Sequence, residues 1–290
     1  MKKGKGLCGF LLTLCVIIGM CLSAEPWHVE AATGYKKIET NGTAIKAGKY
    51  YLKNVGGSIC ISARKDSGFQ KTPIDSFAYG NGSQAFYVRD YVLYKYTYSS
   101  RKETAVKKLP AKGAANDPNL SFYISEVYGN QIYLTKGSQG QWRNWTYIYN
   151  VKTKKLKKVL SDCKINARYG KYVIGQNEYR TDVSAYPITL YKAQASGLKK
   201  IKKLTSYGWE PTFAGRKLYY VSGTDSSMKK VTLYRCNLNG SGRRKIKTFS
   251  TSQQYGQVLT YNITSKSCEV NKDGKVYRYT YATKKMKRIM

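Results

Sequence analysis

Histidine is almost missing from this chain. Its 290 residues include one, His28, and that one sits in a stretch that reads as a removable leader. Without histidine no Ser-His or Cys-His nucleophile arrangement can be built. No C-x-x-C occurs either, which argues against a zinc site. Acids are scarce, 16 Asp and Glu against 51 Lys and Arg. Seven of the aspartates (Asp66, Asp75, Asp90, Asp162, Asp182, Asp225, Asp273) lie mainly where turns are expected, and none forms an obvious pair. A glycosidase pair assembled from distant parts of the chain stays open. There is no Gly-x-x-x-x-Gly-Lys phosphate loop and no calcium loop of alternating acids. The expected catalytic residues, metal ligands and cofactors are therefore none.

The chain has a single long apolar run, Leu7 to Leu22, preceded by Lys2, Lys3 and Lys5. With Val29-Glu30-Ala31 offering small residues at −3 and −1, residues 1–31 read as a secretory signal cleaved after Ala31. A retained anchor is disfavoured by Glu25 and Pro26. A lipidated start is disfavoured by Met20 before Cys21. The expected product is one domain, 32–290, secreted to the extracellular side, with association at the cell surface left open.

Positive charge dominates what remains. The leader takes away three Lys and two Glu, so +34 of the formal +35 is kept. Such a surface attracts polyanions: wall polymers, acidic polysaccharide, phospholipid headgroups or free nucleic acid. Four cysteines remain, Cys60, Cys163, Cys236 and Cys268. They allow three pairings, and buried free thiols are weighed equally with a disulfide. The 28 tyrosines, against 7 phenylalanines, suit strands with one wet face.

The chain nearly repeats itself. Tyr94-Lys95-Tyr96-Thr97-Tyr98 returns as Tyr277-Arg278-Tyr279-Thr280-Tyr281, and tyrosines 94, 149, 191, 234 and 277 are spaced by 55, 42, 43 and 43 residues. A period in the low forties made of short strands marks a β-propeller. The clearest unit runs from Trp209 to Lys247, with Asn239-Gly240 expected to supply the positive φ angles of a tight hairpin and Asp273-Gly274 doing so in the last unit. Five clear units and a degenerate first one around Tyr50–Ile61 would fill the 259 residues. The fold class expected is all-β, a propeller of six blades with four antiparallel strands each. Tyr35-Lys36-Lys37-Ile38 resembles an outer strand able to complete the last blade, although Lys284 to Ile289 already fills that role.

Trp209-x-Pro-x-Phe-x-Gly-Arg-Lys-Leu-Tyr-Tyr followed by Leu-Tyr-Arg-x-Asn-Leu-Asn-Gly resembles a blade of the TolB-like six-bladed propellers, and of secreted bacterial propellers akin to that of the low-density-lipoprotein receptor. The likeness covers roughly 75–290. It implies a fold that binds proteins or glycans, or serves hydrolases as an accessory domain. The chain departs from the TolB pattern in having Phe213-Ala214-Gly215-Arg216 where a Ser-Pro-Asp-Gly turn is usual, so no TolB partner is carried over.

Lysines concentrate in the last strand of each unit: 107–108, 154–158, 199–203, 243–247 and 284–288. On an edge strand they block pairing with another chain; around a rim they also form a basic girdle. Specific recognition is sought instead in loops. An aromatic residue stands beside arginine at Trp142-Arg143 and Tyr179-Arg180, with Tyr186 and Trp209 near the same expected face. Aromatic rings stack on sugars and arginine pairs with carboxylate or phosphate, so these six are the candidate ligand residues. The function expected is a non-enzymatic binding module for a protein or glycan, favouring anionic wall or membrane surfaces and reading no specific nucleic acid. The alternatives are an extracellular polysaccharide lyase or hydrolase, and a purely structural scaffold.

Overall fold

The computed structural model describes residues 34–290 except 39–41, 76, 112–119, 139–142, 178–185, 226 and 254–256. The expected leader, 1–31, lies outside the described residues, as do Trp142, Tyr179 and Arg180. Every regular element among the described residues is a strand. Strand β1 (Lys36–Lys37) is short. It is followed by a four-stranded antiparallel meander of β2 (Ile45–Ala47), β3 (Tyr50–Val55), β4 (Ser58–Ser62) and β5 (Gln70–Lys71). A second meander comprises β6 (Tyr79–Gly80), β7 (Gln84–Arg89), β8 (Val92–Thr97) and β9 (Lys102–Lys108). A third comprises β10 (Leu120–Tyr128), β11 (Gln131–Ser138), β12 (Arg143–Asn150) and β13 (Lys155–Ser161). A seven-stranded sheet then runs in order through β14 (Lys164–Tyr169), β15 (Tyr172–Gln176), β16 (Tyr186–Gln194), β17 (Gly197–Ala214), β18 (Lys217–Gly223), β19 (Lys230–Asn237) and β20 (Arg244–Ser250). The last sheet is β21 (Leu259–Tyr261), β22 (Ser267–Lys272), β23 (Lys275–Thr280) and β24 (Lys285–Arg288). Meanders of four antiparallel strands repeated along one chain fit a β-propeller.

Two expectations about strands change. Lys36–Lys37 does not complete the last sheet; it pairs with Tyr79–Gly80 at the inner edge of the second meander. Lys285–Arg288 fills the last outer position on its own, antiparallel to Tyr277–Thr280. Trp209, sought on a loop face, lies within a strand. Strand β17 pairs with β16 up to Gly208 and with β18 from Gly208 onward. At that crossing a Cβ on Gly208 would overlap the Ile188 side chain, so glycine is needed for close approach.

Turn chemistry follows the sequence closely in one place and loosely in another. Asp273 and Gly274 both have positive φ, 54° and 69°, in a two-residue hairpin. At Asn239-Gly240 only Gly240 is positive, at 80°, and the loop extends to Ser241, whose carbonyl accepts from the Asn237 N–H at 2.8 Å.

Many of the tyrosines are core residues, and the rest keep a partly wet face. Tyr87, Tyr98, Tyr133, Tyr149, Tyr219, Tyr220 and Tyr279 are among the largest fully buried side chains. Successive meanders stack, and apolar clusters fill the spaces between them. Ile61, Leu52 and Tyr87 join the first meander to the second; Phe86, Leu93 and Ile132 join the second to the third; Val221, Leu233 and Val270 join β18 and β19 to the last sheet. Tyrosine supplies the volume needed there and keeps a polar tip.

Candidate functional site

First strands of consecutive units stand side by side. Strand β10 touches β14, β14 touches β17, and β17 touches β21. Three of them are bulged at matching places: the pairing skips between Ile124 and Glu126, between Ile165 and Ala167, and between Trp209 and Thr212. A bulge re-aims side chains and often lies beside a functional site. The skipped Asn166 lines a cavity of about 350 Å³ with Pro211, Thr212, Asn262 and Ile263. That volume lies in the range of small-ligand sites. Its wall is neutral and hydrogen-bonding. Asn166 donates to Gln176, and Asn262 Nδ2 donates to Glu269 Oε2 at 2.8 Å.

A separate cluster is built around Arg168, two residues beyond Asn166 along β14. Its guanidinium rests on the rings of Tyr128 and Tyr133, at 3.9 and 4.7 Å from their centroids. Its Nε donates to the Gly170 carbonyl at 2.8 Å, while Nη1 is buried with no hydrogen-bond partner. The Tyr133 hydroxyl donates to Gln131 Oε1 at 2.7 Å. The fourth member is Glu126. Burial raises its carboxyl above the usual carboxylate range, partly offset by the Val127 N–H, which donates at 3.0 Å, and by the charge of Arg168. A half-buried carboxyl with raised affinity for a proton, a cation and two phenols are the parts of a general-base site.

Several other described acids are engaged elsewhere. Asp162 holds Arg143 through two bonds of 2.6 and 3.1 Å, Glu103 holds Arg89 at 3.0 Å, and Glu269 holds Arg278 at 2.9 Å. Asp225 caps its own turn at Ser227 N, 2.8 Å. Among the described residues no group of three His, Cys, Asp or Glu gathers as metal ligands.

Of the residues singled out from the sequence, Arg143 begins β12 and is tied to Asp162, with its guanidinium 5.4 Å from the Trp145 ring. Trp209 packs against the cluster of Val221, Met228 and Val270. Tyr186 stands opposite Gly208 in register, so the strand alternation puts it on the other face from Trp209. Sequence reading missed Glu126, Arg168, Tyr128 and Tyr133. The one available signal was an acid among the apolar residues Ile124 and Val127 of a strand.

No protein-family model matches the chain, and no curated protein matches it. Solved structures of similar fold do exist. A post-proline cleaving enzyme from Rickettsia typhi is 12% identical over 88% of this chain and 45% of its own, with a TM-score of 0.53. An oligogalacturonate lyase from Vibrio parahaemolyticus is 12% identical over 88% of this chain and 79% of its own, with a TM-score of 0.51. TolB from Acinetobacter baumannii is 13% identical over 94% and 67%, with a TM-score of 0.39. The chain thus spans less than half the length of the peptidase it matches. The neighbours are mostly enzymes with propeller domains, and this overturns the expectation of a non-enzymatic binding module. What the chain shares with them is an all-β fold of the propeller type.

Proposed function

We propose that this chain is a secreted propeller enzyme, six blades of four strands, that cleaves an acidic polysaccharide by elimination. The observation that carries the reading is the Glu126–Arg168–Tyr128–Tyr133 cluster where β14 meets β10 and β11. Hydrolysis with two carboxylates needs an acid and a second acid across the bond, whereas the other described acids near cations are held in ion pairs. Elimination needs one base. Glu126 takes the proton on the carbon next to a uronate carboxylate, that electron pair forms a carbon–carbon double bond, the neighbouring carbon–oxygen bond breaks, and the leaving oxygen gains a proton. Arg168 offsets the negative charge that builds on the carboxylate, and water supplies the proton to the leaving oxygen. The formal charge of +34 kept by residues 32–290 draws an anionic chain toward the molecule. Support from the comparisons is limited to fold: the lyase is matched over most of its length, the peptidase over less than half.

The test is turnover of residues 32–290 on pectate, alginate and glycosaminoglycan, read by the ultraviolet absorbance of the unsaturated product. Turnover on one of them that falls by ~10²–10⁴ in Glu126→Gln, with the fold intact by circular dichroism, is the expected result. Absence of product on all three, or a Glu126→Gln protein of full activity, would remove the reading.

A further inference from the structure

Strands β19 and β23 carry the same residue type at the same register. Arg235 stands opposite Tyr219, and Arg278 stands opposite Glu269. In the last sheet Glu269 neutralises its arginine at 2.9 Å. In the sheet before it tyrosine occupies the acid's place, and the cation is left without a carboxylate. Two more cations converge on the same spot. Lys217, at the start of β18, and Arg244, at the start of β20, line with Arg235, Cys236, Asn237 and Gly242 a pocket of about 240 Å³. The ion pairs formed among the described residues are Arg89–Glu103, Arg143–Asp162, Lys272–Asp273 and Arg278–Glu269; Lys217, Arg235 and Arg244 are in none of them.

The surroundings hold the pocket open. Lys217 Nζ donates to Asn237 Oδ1 at 2.7 Å, and Asn237 Nδ2 donates to the Ser241 hydroxyl at 3.0 Å, which fixes one wall. Gly242 has φ +60°, and a Cβ there would stand 3.0 Å from Asn237 Nδ2, so a larger residue would crowd the mouth. Arg243 is turned away: its guanidinium lies 3.7 Å over the Tyr234 ring.

We infer that this pocket binds a doubly charged oxyanion, the phosphate group of a free or sugar-linked phosphate. Three cations exceed what a single carboxylate would neutralise, and two guanidinium forks suit a tetrahedral anion with several acceptor oxygens. The inference is independent of the elimination chemistry.

Titration calorimetry of the full chain with inorganic phosphate in chloride buffer tests it, with a sugar monophosphate and acetate in parallel. Saturable one-to-one binding of inorganic phosphate is expected, weakened tenfold or more in Arg244→Gln, an exposed position, and in Arg235→Gln, and unchanged in Lys285→Gln on the outer strand of the last sheet. Sugar phosphate bound as tightly or more tightly marks a linked phosphate as the ligand; inorganic phosphate bound alone marks the free ion. No saturation, equal loss in Lys285→Gln, or acetate bound as tightly as phosphate would each overturn the inference.

Discussion

All four cysteines beyond the leader are free and buried, which resolves the choice that their number left open. Burial pushes the Cys236 thiol up to about 11, against the lowering influence of Lys202, Arg243 and Lys217, and pushes Cys268 up to about 12. Tyr220 is likewise pushed up to about 12 by burial. These groups keep their protons in the fold at a pH where the unfolded chain has lost them. Their contribution to stability is complete below the ordinary thiol and phenol values and is lost as pH rises through the folded values. Urea midpoints measured from about pH 8 to about pH 11 should therefore fall steadily. Native protein should react with a thiol reagent far more slowly than the same chain in denaturant, in which all four become reactive. A rapid native reaction at one cysteine would show that its strand opens easily.

Among the elements, lysine-bearing last strands were legible because edge strands need charge to remain unpaired, and β9, β13, β20 and β24 stand at sheet edges as their lysines indicate. Repeat length was legible because each meander must return the chain to the same level. The bulges of β10, β14 and β17 were not, since an extra residue in a strand leaves no composition signal. Glu126 and Arg168 were missed for the same reason: they come from neighbouring units and meet only through strand packing. Turn strain gives a local prediction. Arg216 is exposed at φ +57° in the two-residue turn between β17 and β18. A left-handed conformation costs a non-glycine residue about 1–2 kcal/mol, more than the ~0.5–1 kcal/mol of added chain entropy in glycine. Arg216→Gly should stabilise the protein slightly by calorimetry. Gly208→Ala should do the reverse, by about 1–3 kcal/mol, because the β17 crossing has no room for a methyl group.

For the molecule as a whole, the sequence conveyed the charge and the all-β repeat and offered a polysaccharide-cleaving enzyme only as an alternative, while the site stayed hidden. Charge on this scale acts over about a Debye length, ~8 Å at physiological ionic strength. The KM for an anionic polymer should rise several-fold between low and high salt while kcat changes little, since attraction is lost and the buried cluster around Glu126 is screened less. A fall in kcat alone would place the salt-sensitive step in the cluster instead. Strand β17, eighteen residues long, belongs to two meanders at once. A crossover placed inside 197–214 would join half a strand of one sequence to half of another and so disturb the packing of both meanders at once, whereas one placed in the turn at 251–253 would disturb neither.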